Sequence, residues 1–137
     1  MKLLVVIAVL SAFLAGSGVG ASGTEKPRIT LASLQKMFHQ LRESTNWNIE
    51  GLMLWGYYFA DEDLGKLHSL ADRLGKDGYR VVGIRQAPGR TIHILHIDRV
   101  ERHTPESLDQ RNREFYDLAA KLGIETYEGM DVAPAPK

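Results

Sequence analysis

The sequence predicts an α+β domain with a β-α-β-β-α-β core and one further helix in front of it. Three segments carry apolar residues at helical spacing, and each is bounded by a capping residue or a glycine. Four other segments are rich in β-branched and aromatic residues and are separated by turn residues. The chain has 137 residues, 44% of them hydrophobic and 25% charged, which is typical of one globular domain.

The N-terminal segment is predicted to be a secretory signal peptide. Lys2 precedes an apolar run over residues 3–16, and Val19-Gly20-Ala21 is a small-residue cleavage site. The alternative is a retained membrane anchor, but this run is shorter than the ~20 residues that a spanning helix needs. We therefore expect residues 1–21 to be removed on export and the mature protein to be periplasmic or secreted.

The composition excludes several classes of function. Because the chain has no cysteine, it has no disulfides, no thiolate catalysis and no cysteine-ligated zinc. Its 17 basic residues equal its 17 acidic residues, and the loss of Lys2 with the signal peptide would leave one excess acid. A nearly neutral domain has no electrostatic reason to bind nucleic acid or an anionic membrane.

The mature chain is predicted to begin with a short linker and a helix. Residues 22–29 are mostly small or polar and include Pro27, which is typical of a linker. Thr30 is a good N-cap for a helix that continues to Glu43 or Ser44. The apolar face of this helix consists of Leu31, Leu34, Phe38 and Leu41.

The segment Ile49–Phe59 is predicted to be the first strand. It is aromatic and almost continuously apolar, which favours a central strand covered on both faces. The carboxylates of Asp61-Glu62-Asp63 follow it, and carboxylates are favourable at the start of a helix. That helix ends at Gly78, and its apolar face consists of Leu64, Leu67, Ala71 and Leu74.

A hairpin, a third helix and a last strand complete the pattern. Tyr79–Arg85 and Thr91–Asp98 are strands joined by a turn, which predicts an antiparallel hairpin. Thr104-Pro105 begins the third helix, which ends at Gly123. The final strand is predicted over Thr126–Val132, followed by a disordered tail over residues 133–137.

This order of elements is that of a ferredoxin-like fold. Right-handed crossovers place both core helices on one face of a four-stranded antiparallel sheet, with the first and third strands in the centre. The other face of the sheet then needs a cover. We expect the extra N-terminal helix to cover or extend it.

No metal site, cofactor or catalytic residue is predicted. His93 and His96 lie three apart on a strand, so their side chains point to opposite faces and cannot bind one ion. The sequence has no histidine pair at i, i+4, no nucleophile-elbow motif and no glycine-rich phosphate loop. One alternative stays open, a small exported enzyme or ligand-binding domain with a pocket between the N-terminal helix and the sheet. In that alternative, His93 or His96 acts as the base.

The aromatic residues of the first strand are candidate contacts for a partner. Trp55, Tyr57 and Phe59 share one face, and such residues form either a core or the centre of a protein interface. On a ferredoxin-like sheet they could also stack on RNA bases, but Thr91–Asp98 lacks the aromatic and basic residues of that platform. Nucleic-acid binding is therefore expected only if the signal peptide is wrongly predicted. We take Trp55, Tyr57, Phe59 and Tyr127 as candidate partner-binding residues. If the first helix packs over Trp55, Tyr57 and Phe59, that face of the strand is core instead.

Several short motifs resemble the RraB family, regulators of ribonuclease E activity. These motifs are Tyr58-Phe59-Ala60 before an acidic helix start, Gly78-Tyr79-Arg80-Val81, Thr104-Pro105-Glu106, and Gly123 followed by Tyr127-Glu128-Gly129. The similarity covers Ile49 to Val132, within a single RraB-like domain over residues 30–132. Members of the family usually end with Tyr-Asp-Gly-Trp, whereas Glu128 and Met130 stand here, so the chain resembles a divergent member.

The resemblance implies a ferredoxin-like domain that is not an enzyme and acts by binding another protein. In the family's namesake, that partner is ribonuclease E, which acts in the cytoplasm. Because this chain is predicted to be exported, we expect an inhibitor or regulator whose protein partner lies outside the cytoplasm. The resemblance does not identify that partner.

Overall fold

A computed structural model describes residues 27–137, which form three helices and four strands in the predicted order. The elements are α1 Leu31–Ser44, β1 Met53–Asp61, α2 Leu64–Lys76, β2 Arg80–Gln86, β3 His93–Glu101, α3 Pro105–Leu122 and β4 Thr126–Pro134. The predicted signal peptide lies outside the described residues. Within residues 27–137, no helix is both long and apolar enough to cross a membrane.

The strands form one antiparallel sheet in the order β2-β3-β1-β4. The first and third strands are central, which confirms the prediction from crossover handedness. Tyr57 in β1 lies opposite Ile97 in β3 and Met130 in β4, so these three side chains share one face. That face carries the core.

All three helices lie on this one face of the sheet. Phe115 of α3 contacts the rings of Tyr57 and Phe59 at centroid distances of 5.0 and 5.2 Å. Phe38 of α1 stacks on Trp55 of the same strand face at 5.9 Å. Our expectation that the first helix covers the second face is therefore wrong. By packing beside α3, α1 buries its apolar side chains in the same core as the other helices.

Consequently, within residues 27–137, helices cover β1 on one face only, which corrects the prediction of a strand covered on both faces. The opposite face of β1 carries Leu54, Gly56, Tyr58 and Ala60. Gly56 and Ala60 have little or no side chain, and Tyr58 carries a polar hydroxyl. This face of β1 therefore offers a helix less apolar surface to bury than the face with Trp55 does.

The helix boundaries follow the predicted capping residues. Thr30 and Thr104 each form a capping box with the serine three residues later. Gly123 ends α3 with a φ of 67°, a left-handed conformation that favours glycine. Within the acidic triplet, Asp63 caps α2. Asp61 is instead the last residue of β1, and its carboxylate accepts hydrogen bonds from the backbone amides of Asp63 and Glu125.

Two strand bounds differ from the sequence predictions, since β1 begins at Met53 rather than Ile49 and β3 spans His93–Glu101 rather than Thr91–Asp98. Three other details differ as well. Leu64 is 41% exposed, and Leu70 takes its place on the buried face of α2. Ile29 of the predicted linker donates its amide to the hydroxyl of Tyr116 in α3, so the linker is anchored to the domain at its end. Strand β4 runs through Pro134 because Ala133 pairs with Leu54, and the tail therefore begins after the predicted position.

Candidate functional site on the uncovered sheet face

The four residues that we predict as partner contacts lie in the core. Trp55, Tyr57 and Phe59 are 0% exposed and Tyr127 is 5% exposed. The possibility that Trp55 is core under the first helix is confirmed, because Phe38 stacks on it. Contact of these residues with a partner stays an untested prediction. A partner would have to displace the helices to reach them.

The surface that is open to a partner is the other face of the sheet, which we call the uncovered face. Of the helices in the described part of the chain, none packs on it. Side chains reach this face from all four strands in transverse rows that the register defines. The rows are Val100, Leu54 and Ala133; Arg80, Asp98, Gly56 and Asp131; Gly83, His96, Tyr58 and Gly129; and Arg85, Ile94, Ala60 and Thr126.

Two stacked rings occupy the centre of the uncovered face. Tyr58 and His96 are register partners on the two central strands, with ring centroids 4.4 Å apart and planes inclined by 19°. The Tyr58 hydroxyl donates to Oδ2 of Asp131 at 2.5 Å, which fixes the ring from the β4 side. The sequence does not indicate Tyr58 or His96 as a partner contact, because their neighbours in the uncovered face come from other strands.

Burial sets the protonation of this pair. It raises the pKa of Tyr58, and the hydrogen bond to Asp131 raises it further. Burial also lowers the pKa of His96, although the carboxylates of Asp131 and Asp98 oppose that shift. At neutral pH we therefore expect a neutral imidazole stacked on a protonated phenol.

Gly56 makes room for this arrangement. It lies in register with Asp98 on one side and Asp131 on the other. A Cβ at this position would overlap Oδ1 of Asp131 and would lie 2.9 Å from Nε2 of His96. The glycine thus lets the polar groups of the neighbouring strands converge over the centre of β1.

The uncovered face has charges of opposite sign on its two sides. Asp98 is 3% exposed and accepts two hydrogen bonds from the guanidinium of Arg80, one of them 2.8 Å long. The Arg80 side chain itself is 68% exposed, and Arg85 lies farther along the same strand. The β2 side is therefore cationic at its surface, whereas Asp131 gives the β4 side an anionic group.

A second polar cluster lies on the helix-covered face and centres on Glu101. Oε1 of Glu101 accepts hydrogen bonds from the hydroxyl of Tyr57 at 2.5 Å and from Arg111 at 2.6 Å. Nε2 of His103 lies 2.9 Å from the same oxygen, and Arg99 donates to Oε2 at 2.9 Å. The cluster joins β1, β3, α3 and the loop before α3.

These donors determine the charge of Glu101. Burial alone would raise its pKa, but the hydrogen bonds from His103 and Tyr57 and the charge of Arg111 outweigh burial and lower the pKa to about 2. A carboxylate that is ionised and held by four side chains has no proton to donate at neutral pH. The cluster therefore serves to join the elements that it connects.

The enzyme alternative required a pocket between the N-terminal helix and the sheet. That space is filled, because Leu34, Phe38 and Leu41 of α1 are buried in the core. His93 lies opposite Asp61 on the helix-covered face, whereas His96 lies on the uncovered face, so the two histidines point apart as predicted. Among residues 27–137, no group of three or more histidine or acidic side chains could hold a metal ion.

Comparison with known protein families identifies the family of this chain. The model of the RraB family, described as Regulator of ribonuclease activity B, matches residues 32–132. The chain belongs to the RraB family. The resemblance found in the sequence is confirmed, and the match also includes α1, which our sequence comparison left out. No curated protein matches the chain. This RraB domain is thus a member of a family of regulators of ribonuclease activity, and none of its described helices packs on the uncovered face.

Proposed function

We propose that this RraB domain regulates a ribonuclease by binding a protein partner through the uncovered face, and that it is not itself an enzyme. The observation that carries the proposal is the face of the sheet on which no described helix packs, with the Tyr58 and His96 stack at its centre. Aromatic groups ringed by polar side chains are typical of the centres of protein interfaces.

The charges of the uncovered face favour a protein over RNA. Asp131 lies in the row next to the ring stack and would repel a passing phosphodiester backbone, whereas Asp98 is buried and paired with Arg80. The rings of Tyr58 and His96 are stacked on each other, whereas RNA-binding sheets offer separate rings to successive bases. A protein can place groups of either sign against such a surface.

The polar groups of the domain are engaged in ways that favour binding over catalysis. The hydroxyl of Tyr58 is held by Asp131, and its raised pKa opposes the loss of its proton. The carboxylate of Glu101 is saturated by its donors. His96, which has a lowered pKa, stacks on Tyr58, and no nucleophile is placed beside it among the described residues.

The proposal includes an action outside the cytoplasm, which rests on the apolar segment and cleavage site at the N-terminus. The partner would then be an exported ribonuclease or a protein that controls one. A cleavage assay tests the identity of the partner. The substrate is a labelled single-stranded RNA, and the enzymes are ribonucleases recovered from the cell envelope and, in parallel, ribonuclease E. We expect the exported protein to lower the cleavage rate of one of them saturably, at a fixed stoichiometry.

Variants of the uncovered face make the test specific. Arg85→Glu reverses an exposed charge on this face, and Arg73→Glu reverses one on α2, on the other side of the sheet. We expect Arg85→Glu to weaken the effect on the ribonuclease and Arg73→Glu to leave it unchanged. An equal effect of both variants, or cleavage of RNA by the purified protein alone, would contradict the proposal.

A further inference from the structure

We propose that the uncovered face contains a slot between His96 and β2 that takes an aromatic side chain of the protein partner, next to a carboxylate of that partner. This inference rests on the proposed function in one respect, namely that the partner is a protein. It goes further by assigning the position and the chemistry of the contact.

The wall of the slot is the outer face of the His96 ring. One face of this imidazole is covered by Tyr58, which belongs to β1. The other face is directed toward β2, where the register partner of His96 is Gly83. A ring that stacks there would extend the existing pair to three rings, an arrangement that suits a neutral imidazole.

Gly83 leaves the floor of the slot empty. A Cβ built on this glycine would have no atom within 4 Å among residues 27–137, its two chain neighbours aside. Another glycine beside the stack, Gly56, differs, since the side chains of Asp131 and His96 already fill the space above it. Open space beside the stack is therefore found on the β2 side, and it adjoins the imidazole.

Two arginines flank the floor. Arg80 and Arg85 lie on the uncovered face of β2, one on each side of Gly83. The guanidinium of Arg80 is bound to Asp98, whereas the exposed Arg85 forms no ion pair with another described residue. Arg85 is close enough to influence the pKa values of both Tyr58 and His96, so its charge acts at the slot. An acidic group on the partner would complement it.

The ligand that fits is thus a planar ring with a carboxylate within reach of Arg85. A tyrosine, phenylalanine or tryptophan beside an acidic residue offers this chemistry on a protein surface. A nucleotide also combines a ring with an anion, but the adjoining strand of nucleic acid would meet the carboxylate of Asp131. The observations therefore favour the protein ligand.

A small probe tests the slot without knowledge of the partner. The full chain, labelled with ¹⁵N, is titrated with phenylacetate, which carries the ring and the carboxylate. We expect binding at roughly millimolar concentration, as for a ligand of this size, with the largest shifts at the Gly83 amide and the His96 ring. Cyclohexylacetate and phenylacetamide are matched controls that lack the aromatic ring and the charge respectively. Both should bind about tenfold more weakly or not at all.

Variants assign the binding to the named residues. We expect Arg85→Ala and His96→Ala each to weaken phenylacetate binding by about tenfold, as the loss of a central contact does. Arg73→Ala on α2 should leave it unchanged. Because His96→Ala also frees Tyr58, His96→Phe is the companion variant, and its ring should preserve the binding. Unchanged amide shifts in the core show that each variant is folded.

Three outcomes would overturn the inference. Equal binding of cyclohexylacetate and phenylacetate would exclude stacking on the imidazole. Tight binding of an oligouridylate with the same dependence on Arg85, and none of phenylacetate, would assign the face to nucleic acid. Full regulation of a ribonuclease by Arg85→Ala and His96→Ala would show that the partner docks elsewhere. If phenylacetate binds as expected but no ribonuclease is affected, the slot is supported and the proposed function fails.

Discussion

The rings of Tyr58 and His96 lie face to face at 4.4 Å on the two central strands of the sheet, on the face where none of the three described helices packs. The residue before Tyr58 in the chain, Tyr57, points the other way and donates its hydroxyl to Glu101. Because side chains alternate along a strand, these adjacent tyrosines lie on opposite faces, with Tyr58 at the surface and Tyr57 in the core. The surface pair is the one that a partner can reach.

Gly56→Ala should destabilise the domain by about 1–2 kcal/mol, because its Cβ overlaps Asp131 and crowds His96. Urea unfolding measures the loss, and the signals of Tyr58 and His96 should shift. Gly75→Ala on α2 is the matched control. Its Cβ would be 3.8 Å from Val81, an ordinary contact, so a gain of up to about 1 kcal/mol is expected from helix propensity. A similar loss in both variants would contradict the prediction.

Glu101→Gln should lower the free energy of unfolding by roughly 2–3 kcal/mol. The variant leaves Arg99 and Arg111 near a neutral amide in a largely buried place, and it weakens the hydrogen bond from Tyr57. Glu114→Gln is the control, because its carboxylate is 57% exposed and lies 3.7 Å from Arg111. Chemical denaturation should therefore show a large loss of stability for Glu101→Gln and a small loss for Glu114→Gln.

The same carboxylate predicts a loss of stability in acid. The folded pKa of Glu101 is about 2, against an ordinary value of 4.5, so its contribution is complete above pH 4.5. As the pH falls from about 4.5 to 2, that contribution of roughly 2–3 kcal/mol disappears. Unfolding measured across this range should be steeper for the native protein than for Glu101→Gln. Parallel curves would show that the cluster does not hold the carboxylate ionised.

His96 should titrate below the ordinary histidine pKa of 6.5, because burial disfavours its charged form. Asp131→Asn should lower the pKa further by removing a favourable charge, and Arg85→Ala should raise it by removing an unfavourable one. NMR titration of the His96 ring protons measures the direction of both pKa changes. Since protonation favours the unfolded chain, His96 should reduce stability as the pH falls below about 6.5. A pKa at or above that value would contradict the burial of the ring.

Trp55 should fluoresce as a buried indole. With Trp47 replaced by phenylalanine, we expect a blue-shifted emission that resists aqueous quenchers, because Trp55 is 0% exposed under Phe38. Phe38→Ala should cost about 3 kcal/mol and shift the emission to the red. A red-shifted, quenchable Trp55 in the unaltered chain would show that α1 does not cover this face.

The mature protein should begin at Ser22. The apolar run and the small residues before this position predict cleavage after Ala21. The intact mass of protein recovered from the cell envelope or the medium measures the start directly. Recovery of the full chain, beginning at Met1, from the cytoplasm or the membrane would contradict both the cleavage and the proposed site of action.

The order of the elements, the helix boundaries and the family could all be predicted from residue type and spacing. Thr30, Thr104 and Gly123 mark helix boundaries through contacts made within a few residues, and the alternation of β1 separates Trp55 from Tyr58. Such features are local, so residue type and spacing suffice to predict them.

The face of the sheet that α1 covers, and the polar groups that meet in the folded domain, depend instead on long-range packing. The apolar side of α1 could have packed on either face, and the choice depended on a long-range contact, Phe38 on Trp55 beside α3. Likewise Glu101 finds Tyr57 and Arg111 only because three elements converge on it. Local periodicity encodes that a side chain is buried or exposed, whereas its neighbours are set by the packing of segments far apart in the chain.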